Sequence, residues 1–167
     1  MKQITRVVLL CAALTAGACT NGNRFDNGGF NDGIGSGNFD VDADPSSPVY
    51  FQQTVGDRVF FTVDQHVLTD DAKFVLSSQA SWLRSNADYL AVVEGHADEQ
   101  GTREYNLALG ARRANAVMEY LIAQGVPRER LKFVTYGKER PIEICSEEAC
   151  YSKNRRAVTI ISAGLGL

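Results

Sequence analysis

Residues 92–121 read VVEGHADEQGTREYNLALGARRANAVMEYL. The stretch opens on an apolar strand tail, passes through a glycine- and acid-rich turn, and from Thr102 onward repeats its apolar residues at helical spacing. Thr102 is a natural N-cap, because its hydroxyl can accept one of the free amides of the first turn. Beyond it, Leu109, Val117 and Leu121 share one stripe at about 100° per residue, and Asn106 and Arg113 fall inside that stripe. No carboxylate stands three or four residues either side of Arg113, so its counter-charge must come from elsewhere in the fold or from a ligand.

The segments around this helix alternate between the two periodicities. Upstream, Val59 to Val63 has strand composition, and Thr69 offers an N-cap to a helix that turns Ala72, Val75, Leu76 and Leu83 inward. Leu90 to Val93 is continuously apolar and reads as a strand that is buried on both faces or central. Downstream, Gly125 followed by Pro127 stops the long helix, and Leu131 to Tyr136 and Ala157 to Ser162 make two further strands. The order β-α-β-α-β then β predicts an α+β two-layer sandwich, with helices on one face of a mixed parallel and antiparallel sheet. Residues 49–167 are enough for one such domain with a single core.

The N-terminal part is of another kind. Residues 1–18 combine Lys2 and Arg6 with an apolar run from Val7 to Leu14 and then Ala16-Gly17-Ala18, the layout of a secretory signal. The run is shorter than the about 20 apolar residues of a membrane span, and no later stretch is long enough either. Residues 20–48 are rich in Gly, Asn and Asp with isolated Phe, and carry five Asp against one Arg. With Cys19 they form the expected tether, residues 19–48, with a root-mean-square span of about 30 Å. The net charge of −3 is concentrated in the tether, so bulk electrostatics do not point to nucleic acid.

Cys145 and Cys150 bracket the acidic segment CSEEAC between the last two strands. In an exported chain the pair reads as a disulfide pinning that loop, worth about 2 kcal/mol in the chain-entropy model. The spacing is not CxxC and no second ligand pair follows, so no metal is expected. His66 and His96, the only histidines, read as polar surface, as does Arg112 on the solvated helix face. Trp82 and Tyr120 read as packing residues.

The stretch EGHADEQGTREYNLALGARRANAVMEYL resembles the peptidoglycan-binding signature of the OmpA-like domain family, in its lipoprotein branch. Asn106, Leu109, Arg113, Ala114, Val117 and Leu121 meet its core pattern, and the likeness extends from about Val59 to Ile161, through YGKERP and NRRAV. The resemblance implies a non-enzymatic envelope anchor that needs no cofactor and binds the diaminopimelate of peptidoglycan stem peptides. That side chain ends in both an ammonium and a carboxylate. Carried over residue by residue, Arg113 reads the carboxylate through its planar guanidinium, Asp98 accepts the ammonium, Asp64 and Leu109 line the pocket, and Asn106 supports it. Arg155 and Arg156 are surface charge or, by the resemblance, lie near the ligand or a protein partner.

Small residues before Cys19 resemble the lipobox of bacterial lipoproteins, with Ala16 where the family usually has Leu. The resemblance implies a lipidated Cys19 anchored in the outer membrane, a domain facing the periplasm, and TolB and other Tol-Pal components as partners. Val63 replaces an aromatic found in some relatives, which predicts weaker binding, while Gly110 replaces a common Ser and is expected to change little. The rival reading, a glycan hydrolase using Asp64, Asp98 and Glu94, needs a protonated acid. An arginine in the same pocket works against one, and no other catalytic arrangement is present. Other anchors with this domain, flagellar stator subunits or porin tails, carry a transmembrane helix or barrel upstream.

Overall fold

The computed structural model describes residues 44–164. The signal, Cys19 and the tether as far as residue 43 lie outside the described residues.

The described residues begin at Asp44, upstream of the boundary at 49 that composition suggests. Ser47 caps helix α1 (Pro48–Tyr50), which continues into a π-helical turn, Phe51–Gly56. The Trp82 indole donates to the Pro45 carbonyl at 2.7 Å, and its ring packs 4.9 Å from that of Phe51. Residues 44–48, assigned to the tether by their polarity, are therefore held against the domain by a buried tryptophan.

Strand β1 (Arg58–Phe60) is followed by helix α2 (Asp70–Ser85) and strand β2 (Tyr89–His96). Helix α3 (Arg103–Ala123), a 3-10 turn (Arg128–Arg130), strand β3 (Leu131–Gly137), helix α4 (Glu148–Asn154) and strand β4 (Arg156–Ala163) complete the chain. Both long helices start where a threonine accepts a first-turn amide, Thr69 from Ala72 and Thr102 from Tyr105. Gly125 sits at φ 92° just past the end of α3, a conformation that disfavours side chains.

The sheet order is β1-β4-β2-β3, with β2 parallel to β3 and antiparallel to β4, and β4 antiparallel to β1. This is the α+β arrangement expected, with a mixed sheet. Its core joins Leu76 and Leu83 of α2 to Val117, Met118 and Leu121 of α3 and to Val93 of β2. β2 is central, and its two faces are unequally covered. Ala91, Val93 and Gly95 are buried beneath the helices, whereas Leu90 on the other face is 40% exposed.

Two expected boundaries differ. β1 ends at Phe60, not Val63, because the chain turns sharply there: Gln65 donates to the Thr62 carbonyl and Asp64 adopts φ 57°. The CSEEAC segment, read as a loop, leads into α4, which carries Cys150 bonded to Cys145. Polar composition hid this helix. Its C-terminal Asn154 is fully buried, where its amide accepts from Ile142 and Glu143 and donates to Glu143 and Glu99.

α3 lies unusually close to β2. A Cβ built on Gly95 would stand 1.9 Å from the Gly110 carbonyl oxygen, and one on Gly110 would stand 2.5 Å from Thr135 Oγ1. This contact sets the height of α3 over the sheet, and with it the position of every side chain the helix presents beyond the end of β2.

Candidate functional site

β2 ends at His96, and the chain then crosses Asp98 and Gln100 to reach the cap of α3. The turn after β1 lies alongside. Between them is a cleft of about 220 Å³ lined by Val63, Asp64, Asp98, Gln100, Gly101, Tyr105, Asn106 and Leu109. The structure thus brings Asp64, Asp98, Asn106 and Leu109 onto one surface. A larger groove, of about 520 Å³, runs between β1 and α2, but its floor is apolar and neither Asp64 nor Asp98 reaches it.

Each cleft wall has a specific support. Asn106, almost fully buried, donates from Nδ2 to the carbonyls of Gln100 at 2.6 Å and Asp98 at 3.3 Å, so it holds the connecting loop from beneath. Asp98 accepts the Gln100 amide at 3.3 Å on one carboxylate oxygen and Arg155 Nη1 at 3.1 Å on the other. Asp64, at the exposed turn, accepts the Tyr105 hydroxyl.

Arg113 does not line the cleft; it lies behind it. With 0% exposure it is the largest fully buried side chain. Nε donates to the Gln65 carbonyl at 2.8 Å, Nη1 to that of His96 at 2.8 Å and Nη2 to that of Thr62 at 3.2 Å. It also packs over the Phe61 ring. The guanidinium therefore clasps the turn after β1 to the end of β2, the two pieces of backbone that frame the cleft. Burial lowers its pKa to about 10, with Arg155 adding to the effect and Asp98 and Asp64 opposing it, so it is charged at neutral pH. Among the described residues no carboxylate is bonded to it. Three of its five N–H groups are used by the carbonyls, leaving donor capacity on Nη1 and Nη2.

Two expectations need correction. His96 is not polar surface but 1% exposed, its ring 5.6 Å from that of Tyr136. Burial first, and then the charges of Arg156 and Arg140, push its pKa down to about 4. Arg155 and Arg156 are not surface charge either, at 4% exposure each. Arg155 joins Asp98 to Glu148, and its Nε donates to the Phe61 carbonyl. The cation beside Asp98 is Arg155 and not Arg113.

Tyr105 is one of the lining residues, with Gln100 and Gly101, that sequence reasoning missed. Its neighbour Asn106 was visible because it interrupts the apolar stripe, whereas Tyr105 falls on the solvated side and is conspicuous only once the turn after β1 is in place.

The chain matches the OmpA family over residues 60–155. A peptidoglycan-associated lipoprotein of Agrobacterium fabrum is 45% identical over 170 aligned positions, covering 100% of this chain and 94% of that protein. The chain belongs to the OmpA family, among its peptidoglycan-associated lipoproteins. Another of these, from Mesorhizobium japonicum, is 52% identical over 120 residues, 72% of this chain and 71% of the relative. The solved peptidoglycan-associated lipoprotein from Burkholderia pseudomallei superposes with a TM-score of 0.66 at 33% identity, covering 70% of this chain and all of that one. The C-terminal domain of Helicobacter pylori MotB shares the fold, with a TM-score of 0.61 at 24% identity. The family match spans every lining residue of the cleft, so the cleft belongs to the shared OmpA-family domain and not to an addition particular to this chain. Among the described residues no helix is long and apolar enough to cross a membrane.

Proposed function

We propose that this protein binds peptidoglycan noncovalently, through the diaminopimelate side chain of its stem peptides, and so ties the outer membrane to the wall. Arg113 carries the reading. It is a buried, charged guanidinium with unspent donors and no bonded carboxylate among the described residues, beneath a cleft whose walls hold Asp64 and Asp98. A buried cation lacking an anion is costly, and a ligand carboxylate near it lowers that cost. Asp64 and Asp98, which line the cleft, supply the opposite charge for an ammonium. The geometry suits a zwitterion better than a neutral sugar or a simple anion.

Lipidation at Cys19 would place the domain in the periplasm on the end of its tether. There it would act in the Tol-Pal system, with TolB and other Tol-Pal components as partners, supporting outer-membrane integrity and invagination at division. The relatives' naming as peptidoglycan-associated lipoproteins supports this assignment. A hydrolytic role is disfavoured, because both carboxylate oxygens of Asp98 already accept hydrogen bonds, one from the Gln100 amide and one from Arg155. A pulldown with defined stem peptides tests the reading. Retention on diaminopimelate peptides and loss on lysine peptides, which lack the second carboxylate, is expected. Equal retention on both would remove Arg113 from the recognition, and soluble muropeptides released from sacculi would refute a binder.

A further inference from the structure

We propose that Glu148 positions Asp98 through Arg155, and that the Cys145–Cys150 disulfide sets how firmly it does so; this rests on the cleft being the peptidoglycan site. Arg155 is the only described side chain hydrogen-bonded to the Asp98 carboxylate. It is itself held at three points. Nη1 and Nη2 donate to Glu148, Nε donates to the Phe61 carbonyl at 3.2 Å, and its backbone carbonyl accepts the Phe61 amide at 2.8 Å. Burial disfavours the charged guanidinium, but the hydrogen bonds to Glu148 and Asp98 outweigh it and raise its pKa.

The weak member of this chain of contacts is Glu148. Its side chain is 66% exposed, so packing does not fix it, and only Arg155 and the local backbone do. That backbone is the first turn of α4, a helix of seven residues whose N-cap Glu147 makes no side-chain capping bond. A helix so short has little stability of its own. The disulfide joins Cys145, before the helix, to Cys150, within its first turn, and Glu148 lies inside the ring so closed. Opening the bridge with a dithiol delivers two electrons and two protons, leaving two thiols while the reductant closes to its own disulfide. The first turn of α4 is then free to fray, Glu148 leaves Arg155, and Asp98 loses its fixed orientation in the cleft. Ligand affinity becomes dependent on the thiol–disulfide state at a point outside the cleft.

The test is a titration of the purified protein with a diaminopimelate-containing muramyl tripeptide. It compares the oxidised protein, the dithiothreitol-reduced protein, the Cys145→Ser, Cys150→Ser double variant and Glu148→Gln. Reduction, the double variant and Glu148→Gln should each weaken binding about fivefold. Reduction should add nothing in Glu148→Gln, and the Arg155 side-chain nitrogen resonances should shift in all three altered proteins. Equal affinity in oxidised and reduced protein overturns the proposal. So does a reduction effect that persists undiminished in Glu148→Gln, since the bridge would then act by another route. Absence of binding by the oxidised protein removes the cleft assignment as well, which distinguishes that failure from failure of the relay alone.

Discussion

The Tyr105 hydroxyl donates to the Asp64 carboxylate across the mouth of the cleft, so one of the two carboxylates facing a ligand is engaged before any ligand arrives. The hydrogen bond favours the neutral phenol, and a nearby carboxylate repels a phenolate; both raise the Tyr105 pKa. A tyrosine carbon resonance titrating above the usual range in the wild type, and returning to it in Asp64→Asn, is the expected result. Tyr105→Phe should bind stem peptide more tightly, because an incoming ammonium no longer displaces a hydroxyl from Asp64. Weaker binding would instead make Tyr105 a ligand group in its own right.

Arg113→Ala is expected to cost about 3 to 5 kcal/mol of stability, because it strips donors from three carbonyls and leaves a cavity. Arg113→Lys keeps the charge, yet one ammonium cannot span the Thr62, Gln65 and His96 carbonyls, so it should lose less stability and still bind poorly. Urea unfolding beside a binding titration separates the two losses. Wild-type stability in Arg113→Ala would show that the turn after β1 does not depend on the clasp.

Gly95→Ala should be among the most damaging small substitutions in the domain. Its Cβ would overlap the Gly110 carbonyl, a backbone atom that cannot swing aside, and α3 would have to lift from β2. A loss of about 3 kcal/mol is expected, at the upper end for overpacking. Gly110→Ala should lose less, since its nearest obstacle, the Thr135 hydroxyl, sits on a side chain and the Gly95 carbonyl oxygen stands farther off, at 2.9 Å. The reverse ranking in thermal melts would contradict the close approach of α3 to β2.

Acid should weaken the fold through His96. Its folded pKa, about 4, lies below the ordinary 6.5, so between these values the unfolded chain takes up a proton that the folded chain refuses. Stability contributed by the neutral ring is complete above pH 6.5 and is lost as pH falls toward 4, by an amount on the order of 3 kcal/mol. Burial sets the sign, and neighbouring charges add to it. Arg156 and Arg140 oppose a third cation, and Glu94 stands 3.7 Å away. In His96→Gln the slope of unfolding free energy between pH 7 and pH 4.5 should flatten; an unchanged slope would place the acid sensitivity elsewhere.

What the sequence made legible was what neighbouring residues decide among themselves. Thr69 and Thr102 cap their helices with their own hydroxyls, and Gly125 stops α3 by its own backbone freedom. Arg113 was conspicuous because a cation in an apolar stripe breaks a local pattern. Its partners were not, since they are backbone carbonyls, which every residue carries and no side chain announces. The same limit hid Arg155 beside Asp98, a contact between residues 57 apart in sequence. α4 escaped because its stability comes from the bridge and from the buried Asn154, not from helical periodicity.

The Pro45–Trp82 contact gives the domain a mechanical axis. Trp82 packs 5.2 Å from Tyr89, where β2 begins, whereas the cleft opens beyond His96, where β2 ends. A pull entering at Asp44 and a grip held in the cleft therefore act at opposite poles of the sheet, separated by about 25 Å of strand. Strand β2 joins the two poles directly, paired along its length with β3 on one side and β4 on the other.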